Sequence, residues 1–142
     1  MSVAVRRPLA VVQWSALLGC LGVLVWSIPG LIVNPDFATG DSATAVRVLG
    51  VDMNGWHAVS GFLVVIPVLW GVAAGPRMAA WLSVAAAGSL LATAVWALMA
   101  RSVAGGLFSF PHQEADALLH VGTASIFLAG AANYFFAERG RG

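Results

Sequence analysis

The chain has 142 residues, of which 60% are hydrophobic and 9% charged, and its mean hydropathy is +0.89. A water-soluble domain carries about 25% charged residues, so no water-facing shell can be built here, and the composition places the chain in a membrane. A net charge of +1, with seven arginines and no lysine and no basic cluster, leaves no footprint for nucleic acid; the single cysteine, Cys20, excludes an internal disulfide or a cysteine-based metal cluster.

Four apolar segments predict an all-α membrane protein: one domain, a four-transmembrane-helix bundle with spans at about 9–33, 56–74, 78–100 and 115–137. Each covers the ~20 residues that a ~30 Å hydrocarbon core requires, and none carries a charge in its centre. The first span follows Arg6-Arg7, and its Leu17-Leu18-Gly19-Cys20 loosely resembles a lipoprotein processing site. The apolar run continues through Trp26, however, so it is expected to span uncleaved. Ser15, Gly19 and Gly22 form a small-residue stripe in it, and Pro29 should bend its outer end.

The first long loop, 34–55, holds Asp41 to Gly50. Asp41 or Ser42 suits an N-cap and Gly50 a helix end, which predicts a short interfacial helix on the outer surface. Next comes the stretch on which the chain is organised, Asp52-Met53-Asn54-Gly55-Trp56-His57-Ala58-Val59-Ser60-Gly61, where a polar loop turns into an apolar helix carrying a histidine. Pro67 should kink the second span. Arg77 occupies the tight second connection, and the third span repeats small residues at Ala85, Ser89, Thr93 and Ala97. In the second long loop, 101–114, Pro111 suits the first turn of a helix, so the fourth helix is expected to begin there. That span opens with Asp116, His120 and Thr123 and carries Gly122, Ser125, Ala129 and Ala132 at heptad-like spacing. All these small-residue stripes are expected to face the bundle interior.

The two halves read as tandem two-helix repeats: Val25-Trp26 parallels Val95-Trp96, and each is followed by a polar loop and a helix opening on His with a hydroxyl three residues later. Arg6, Arg7, Arg77, Arg139 and Arg141 fall on one side of the bundle. Arg47 and Arg101 fall on the other, with Asp36, Asp41, Asp52, Glu114 and Asp116. Basic residues favour the cytoplasm, which predicts cytoplasmic termini and outer loops outside. Trp14, Trp70 and Trp81 lie toward the inner ends and Trp26, Trp56 and Trp96 toward the outer ends, an aromatic belt on both faces.

Leu49-Gly50-Val51 followed by Asn54-x-x-His57-x-x-x-Gly61, with Asp116-x-x-Leu119-His120 opening the last helix, resembles the small actinobacterial and cyanobacterial membrane proteins grouped as domain-of-unknown-function family 4383. The likeness spans roughly Ala10 to Ala137 and departs at Ala124, where a second glycine is expected. It implies four helices and a bacterial cytoplasmic (inner) membrane, and it brings no activity.

His57 and His120 lie at similar depth, so on neighbouring helices they can face each other. Two such imidazoles are the ligand set of a b-type haem. With Asp116 or Asp52 they suit a divalent metal such as zinc or iron, and alone they suit a proton relay or small-solute transport. His112, Asp116 and His120 share a helix face, but His112 and His120 stand ~12 Å apart along it, so only one of them can join Asp116. The structural reading takes precedence: Asn54, His57 and Ser60, and Asp116, His120 and Thr123, tie the outer loops to the bundle without a cofactor. Gly61 joins Gly19, Gly22, Ser89, Thr93, Gly122, Ser125 and Ala129 as helix-packing positions. No Gly-x-Ser-x-Gly, phosphate loop or His-Glu-x-x-His is present. The expectation is a non-catalytic accessory or scaffold subunit packed against another membrane protein or a second copy. The rival is a small His-centred redox, metal or transport protein.

Overall fold

The computed structural model describes residues 9–39, 42–99 and 114–140. Its elements in chain order are α1 (Val11–Val33), β1 (Val46–Val48), β2 (Val51–Met53), α2 (Gly55–Ala74), α3 (Pro76–Met99) and α4 (Glu114–Arg139). All four helices are long and apolar enough to cross a membrane. The expected beginning of the last helix at Pro111 lies outside the described residues, as do His112 and Asp41.

Local chemistry explains where these helices start and stop. Gln13 accepts a hydrogen bond from the Ala10 amide (2.9 Å) at the start of α1, and its Nε2 donates to the Val72 carbonyl (2.8 Å) at the end of α2. Asn54 caps α2 by accepting from the His57 amide (2.9 Å). Gly75, at φ +128°, makes the turn into α3, and Pro76 fills the first helical position, where its missing N–H costs nothing. Glu114 and Asp116 sit in the first turn of α4 and Arg139 in its last, matching the helix dipole at both ends.

The helices run alternately up and down, each packed against its sequence neighbours, with α4 closing the ring against α1. Close approaches fix the antiparallel registers. A Cβ on Gly19 would meet the Phe127 ring at 2.6 Å, one on Gly71 would meet Leu82 Cδ1 at 2.8 Å, and one on Gly61 would collide with Ser27 Oγ. The interior is built from small side chains, among them Ala16, Ala58, Ala79, Ala80, Ala87, Ala94 and Ala124, around Phe127. Large apolar residues such as Leu63, Ile66, Trp70, Leu118 and Phe136 point outward. A water-soluble bundle does the opposite; this distribution suits hydrocarbon surroundings, where packing depends on close backbone approach.

Two expectations are corrected. The described residues 43–53 of the connection after α1, where the interfacial helix is expected to run on to Gly50, are not helical. They include an antiparallel hairpin pairing Val46 with Met53, Arg47 with Asp52 and Val48 with Val51. Leu49 (φ +51°) and Gly50 (φ +89°) make a two-residue turn with both central φ positive, as a tight hairpin requires, so Gly50 marks a turn and not a helix end. The strands alternate: Val48, Val51 and Met53 pack on Ala58, Trp26, Leu31 and Leu119, while Arg47 pairs outward with Asp52 (3.1 Å). The second correction concerns the α4 stripe. Gly122, Ser125, Ala129 and Ala132 are exposed, and the face that packs inward is Thr123, Ala124, Phe127, Gly130 and Ala131. In α3, Ala85 and Ser89 are likewise exposed and Thr93 half-buried, and of that stripe only Ala97 is buried, alongside Ala86, Ala87, Leu90 and Ala94. A run of Ala, Gly and Ser on every face of these helices carries no periodic contrast to mark the inner one.

Candidate functional site

The hairpin end of the bundle brings three ionisable side chains together. His57 is fixed by its helix start, because the Asn54 cap holds its amide and Ser60 Oγ donates to its carbonyl (2.7 Å). Its ring Nδ1 lies 3.3 Å from the Asp52 carbonyl oxygen, and its Nε2 lies 3.2 Å from Asp116 Oδ1. His120 follows Asp116 by one helical turn. Its Nδ1 lies 2.7 Å from the Asp116 carbonyl oxygen and 3.1 Å from Asp116 Oδ1. The two imidazoles stack with centroids 5.9 Å apart and planes 19° from parallel. Asp116 is 1% exposed and His57 8%.

Each ring has one nitrogen beside a backbone carbonyl, and on His57 the other, Nε2, faces the Asp116 carboxylate. With its proton on Nε2, His57 donates to that carboxylate; with the proton on Nδ1 it donates to the Asp52 carbonyl, and Nε2 is a lone pair available to a metal ion. A buried carboxylate without a compensating partner costs several kcal/mol, and either arrangement supplies one.

The geometry accommodates a metal. His57, Asp116 and His120 each offer one ligand atom, all within 4.8 Å of one another. Two ligands at ~2.0–2.1 Å from a tetrahedral zinc are about 3.3 Å apart, close to the 3.2 Å between His57 Nε2 and Asp116 Oδ1. Ligating histidines typically donate their second N–H to a carbonyl or carboxylate, which is the setting of His57; on His120 a single nitrogen, Nδ1, faces both the Asp116 carbonyl and Oδ1. A b-type haem fits badly: axial imidazoles approach iron from opposite faces of a porphyrin, and these rings stack on one another through a shared carboxylate. The adjoining cavity is about 80 Å³, whereas pockets for drug-sized ligands run to roughly 300–1,000 Å³.

Of the remaining sequence candidates, Asp52 contributes its carbonyl and not its carboxylate, which is engaged by Arg47 on the outer face of the hairpin. Thr123 is buried on the inner face of α4 one turn below His120, and Gly22 packs against it. The cavity lies beneath the two imidazoles and draws on all four helices, with Trp26 and Ser27 from α1, Ser60 from α2, Thr93 from α3 and Thr123 from α4 in its wall. Trp26 and Ser27 are additions to the sequence reading, which took Trp26 as part of the interfacial belt. The one available signal was a serine beside it in an otherwise apolar run. No protein-family model, no curated protein sequence and no solved structure matches the chain.

Proposed function

We propose that this is a multi-pass membrane protein that binds one divalent transition metal ion of the zinc class between His57, Asp116 and His120. Among the readings the sequence leaves open, this one gains most from the geometry. The observation that carries it is that ligand atoms of His57, Asp116 and His120 all lie within 4.8 Å of one another, with His57 Nε2 3.2 Å from Asp116 Oδ1 and its Nδ1 turned to the Asp52 carbonyl. Two nitrogens and a carboxylate oxygen suit zinc or iron(II), and geometry alone does not separate them. By the arginine distribution the hairpin end would lie outside a bacterial cytoplasmic membrane, so the ion would be exchanged with the outer compartment. The hairpin would form the cover, since it supplies the carbonyl that orients His57.

Metal analysis of protein purified in mild detergent, after a zinc load and removal of free ion, tests the proposal. About one equivalent is expected in the wild type and little in His57→Ala, His120→Ala or Asp116→Asn that retain their helical content. Equal metal in wild type and variants, or none in any, would overturn it.

A second reading, an accessory subunit packed against another membrane helix, is supported by the outward stripe Gly122, Ser125 and Ala129, with open space beyond Gly122. Small outward residues admit a second backbone. The two readings are compatible, and co-purification of a partner that Gly122→Leu releases would support the second.

A further inference from the structure

We propose that the end of the bundle opposite the hairpin binds an anionic phospholipid, with Arg77 and Arg139 on its phosphate and the Trp81–Phe135 pair beneath it. This site stands apart from the metal centre, which lies at the other end. The four residues form two pairs at i, i+4 spacing, Arg77 with Trp81 on α3 and Phe135 with Arg139 on α4, and residues so spaced share a helix face. The aromatic members meet across the α3–α4 contact, with ring centroids 4.9 Å apart and planes at 62°. Because α3 starts at this end and α4 finishes there, each arginine stands one turn, about 6 Å, nearer the bundle end than its aromatic partner. Two cationic positions at matching depth therefore rim one aromatic floor.

Trp81 is a wall of two open grooves. It shares one with Phe135, Glu138 and Arg139, and the other with Pro76, Arg77 and Met78. The indole is 55% exposed, both arginines are exposed, and neither arginine forms an ion pair among the described residues. Glu138 is the one acid that the sequence places at this end, against Arg6, Arg7, Arg77, Arg139 and Arg141, so the end is net positive. A bias of basic residues toward one side of a membrane accounts for arginines here, but it does not require two of them to share an aromatic neighbour.

The occupant follows from place and charge. Helices long and apolar enough to cross a membrane bring this end to the lipid headgroups, the level at which tryptophan is enriched. Guanidinium groups recognise phosphate through paired N–H···O bonds, and basic pockets between membrane helices bind anionic headgroups. The ring faces suit the glycerol and the first methylenes of the chains. Inorganic phosphate would use the arginines without the floor, and phosphatidylcholine would bring its own cation beside them. An anionic phospholipid uses all four residues.

Native mass spectrometry of the full-length protein in mild detergent, with phosphatidylglycerol or phosphatidylcholine of the same chains added, reads the binding. Phosphatidylglycerol should be retained severalfold more than phosphatidylcholine. Arg77→Gln and Arg139→Gln should each weaken its binding roughly tenfold, the effect of losing a hydrogen bond to a charged group. Trp81→Ala keeps both charges and should also weaken it severalfold. Arg7→Gln removes the same charge from the same end and should leave it unchanged. All of these variants should keep their helical content by circular dichroism and the zinc stoichiometry of the wild type. Equal retention of the two lipids by the wild type would overturn the assignment. So would a loss in Arg7→Gln equal to that in Arg77→Gln, which marks diffuse attraction, or displacement of the lipid by inorganic phosphate at equal concentration.

Discussion

Asp116 is the residue on which the hairpin end of the bundle depends. Its carboxylate is enclosed between two imidazoles from different helices, and removing one member of a buried charged set costs about 3–5 kcal/mol because the remainder stays desolvated. Asp116→Ala should therefore lower the thermal midpoint more than His120→Ala, as followed by circular dichroism in detergent; equal effects would show that the carboxylate carries no special share. Asp36, in the loop after α1, is a second anchored carboxylate. The Thr44 hydroxyl, then the amides of Ala38 and Thr44, hold its pKa below the ordinary 3.8. A group whose folded pKa is depressed stabilises above its unfolded pKa and loses that contribution as pH falls through the folded one. Protection of the Ala38 and Thr44 amides from hydrogen exchange should therefore persist at neutral pH and fade only under acid below 3.8. In Asp36→Asn that acid-dependent loss should be absent. At this scale the sequence was half legible. The spacing of Asp116 and His120 puts them on one face of a helix, and the matching depth of His57 is visible. What brings the rings to 5.9 Å is the rotation of α2 and α4, set by packing of Gly61 on Ser27 and Gly22 on Thr123, and side-chain contacts between distant helices leave no periodic trace.

Among the elements, the β1–β2 hairpin and the start of α2 act as one unit. Asn34 Nδ2 donates to the Met53 carbonyl (3.1 Å), the Gly55 amide to the Asp36 carbonyl (2.8 Å) and Trp56 Nε1 to the Phe37 carbonyl (2.8 Å). This network holds the Asp52 carbonyl over His57. Asn54→Ala removes the cap and should cost about 1 kcal/mol; because the cap also fixes the His57 backbone, zinc affinity should fall with stability. Unchanged affinity at lowered stability would separate the cap from the site. Gly50→Val places a β-branched residue at φ +89° and should loosen the hairpin, raising hydrogen exchange at Val51 and Met53 while α3 stays protected. The hairpin was readable as Val-Arg-Val-Leu-Gly-Val-Asp-Met, apolar and polar by turns, but capping residues upstream favoured a helix. Period-two alternation over three residues a side is a weak signal beside an N-cap followed by a glycine.

At the scale of the molecule, an interior of alanine and glycine with tryptophan, leucine and isoleucine outside suits a solvent as apolar as the side chains themselves. The four helices were legible from length and hydropathy alone; which face of each turns inward was legible for α1, where Gly19 and Gly22 pack on Phe127 and Thr123, and not for α3 and α4. The proposed orientation makes its own prediction. A cysteine at Thr39 should react with a membrane-impermeant maleimide added to intact cells, and one at Arg77 should not. Cys20, buried against Val65, gives little background. The reverse pattern would place the metal centre on the cytoplasmic side. The central claim, a metal held by His57, Asp116 and His120, is tested most directly by X-ray absorption at the zinc edge of the loaded protein. The account predicts nitrogen and oxygen ligands near 2.0–2.1 Å, multiple scattering from two imidazoles, and about four-fold coordination. A six-oxygen shell without imidazole scattering would mean a hydrated ion bound elsewhere and would contradict it.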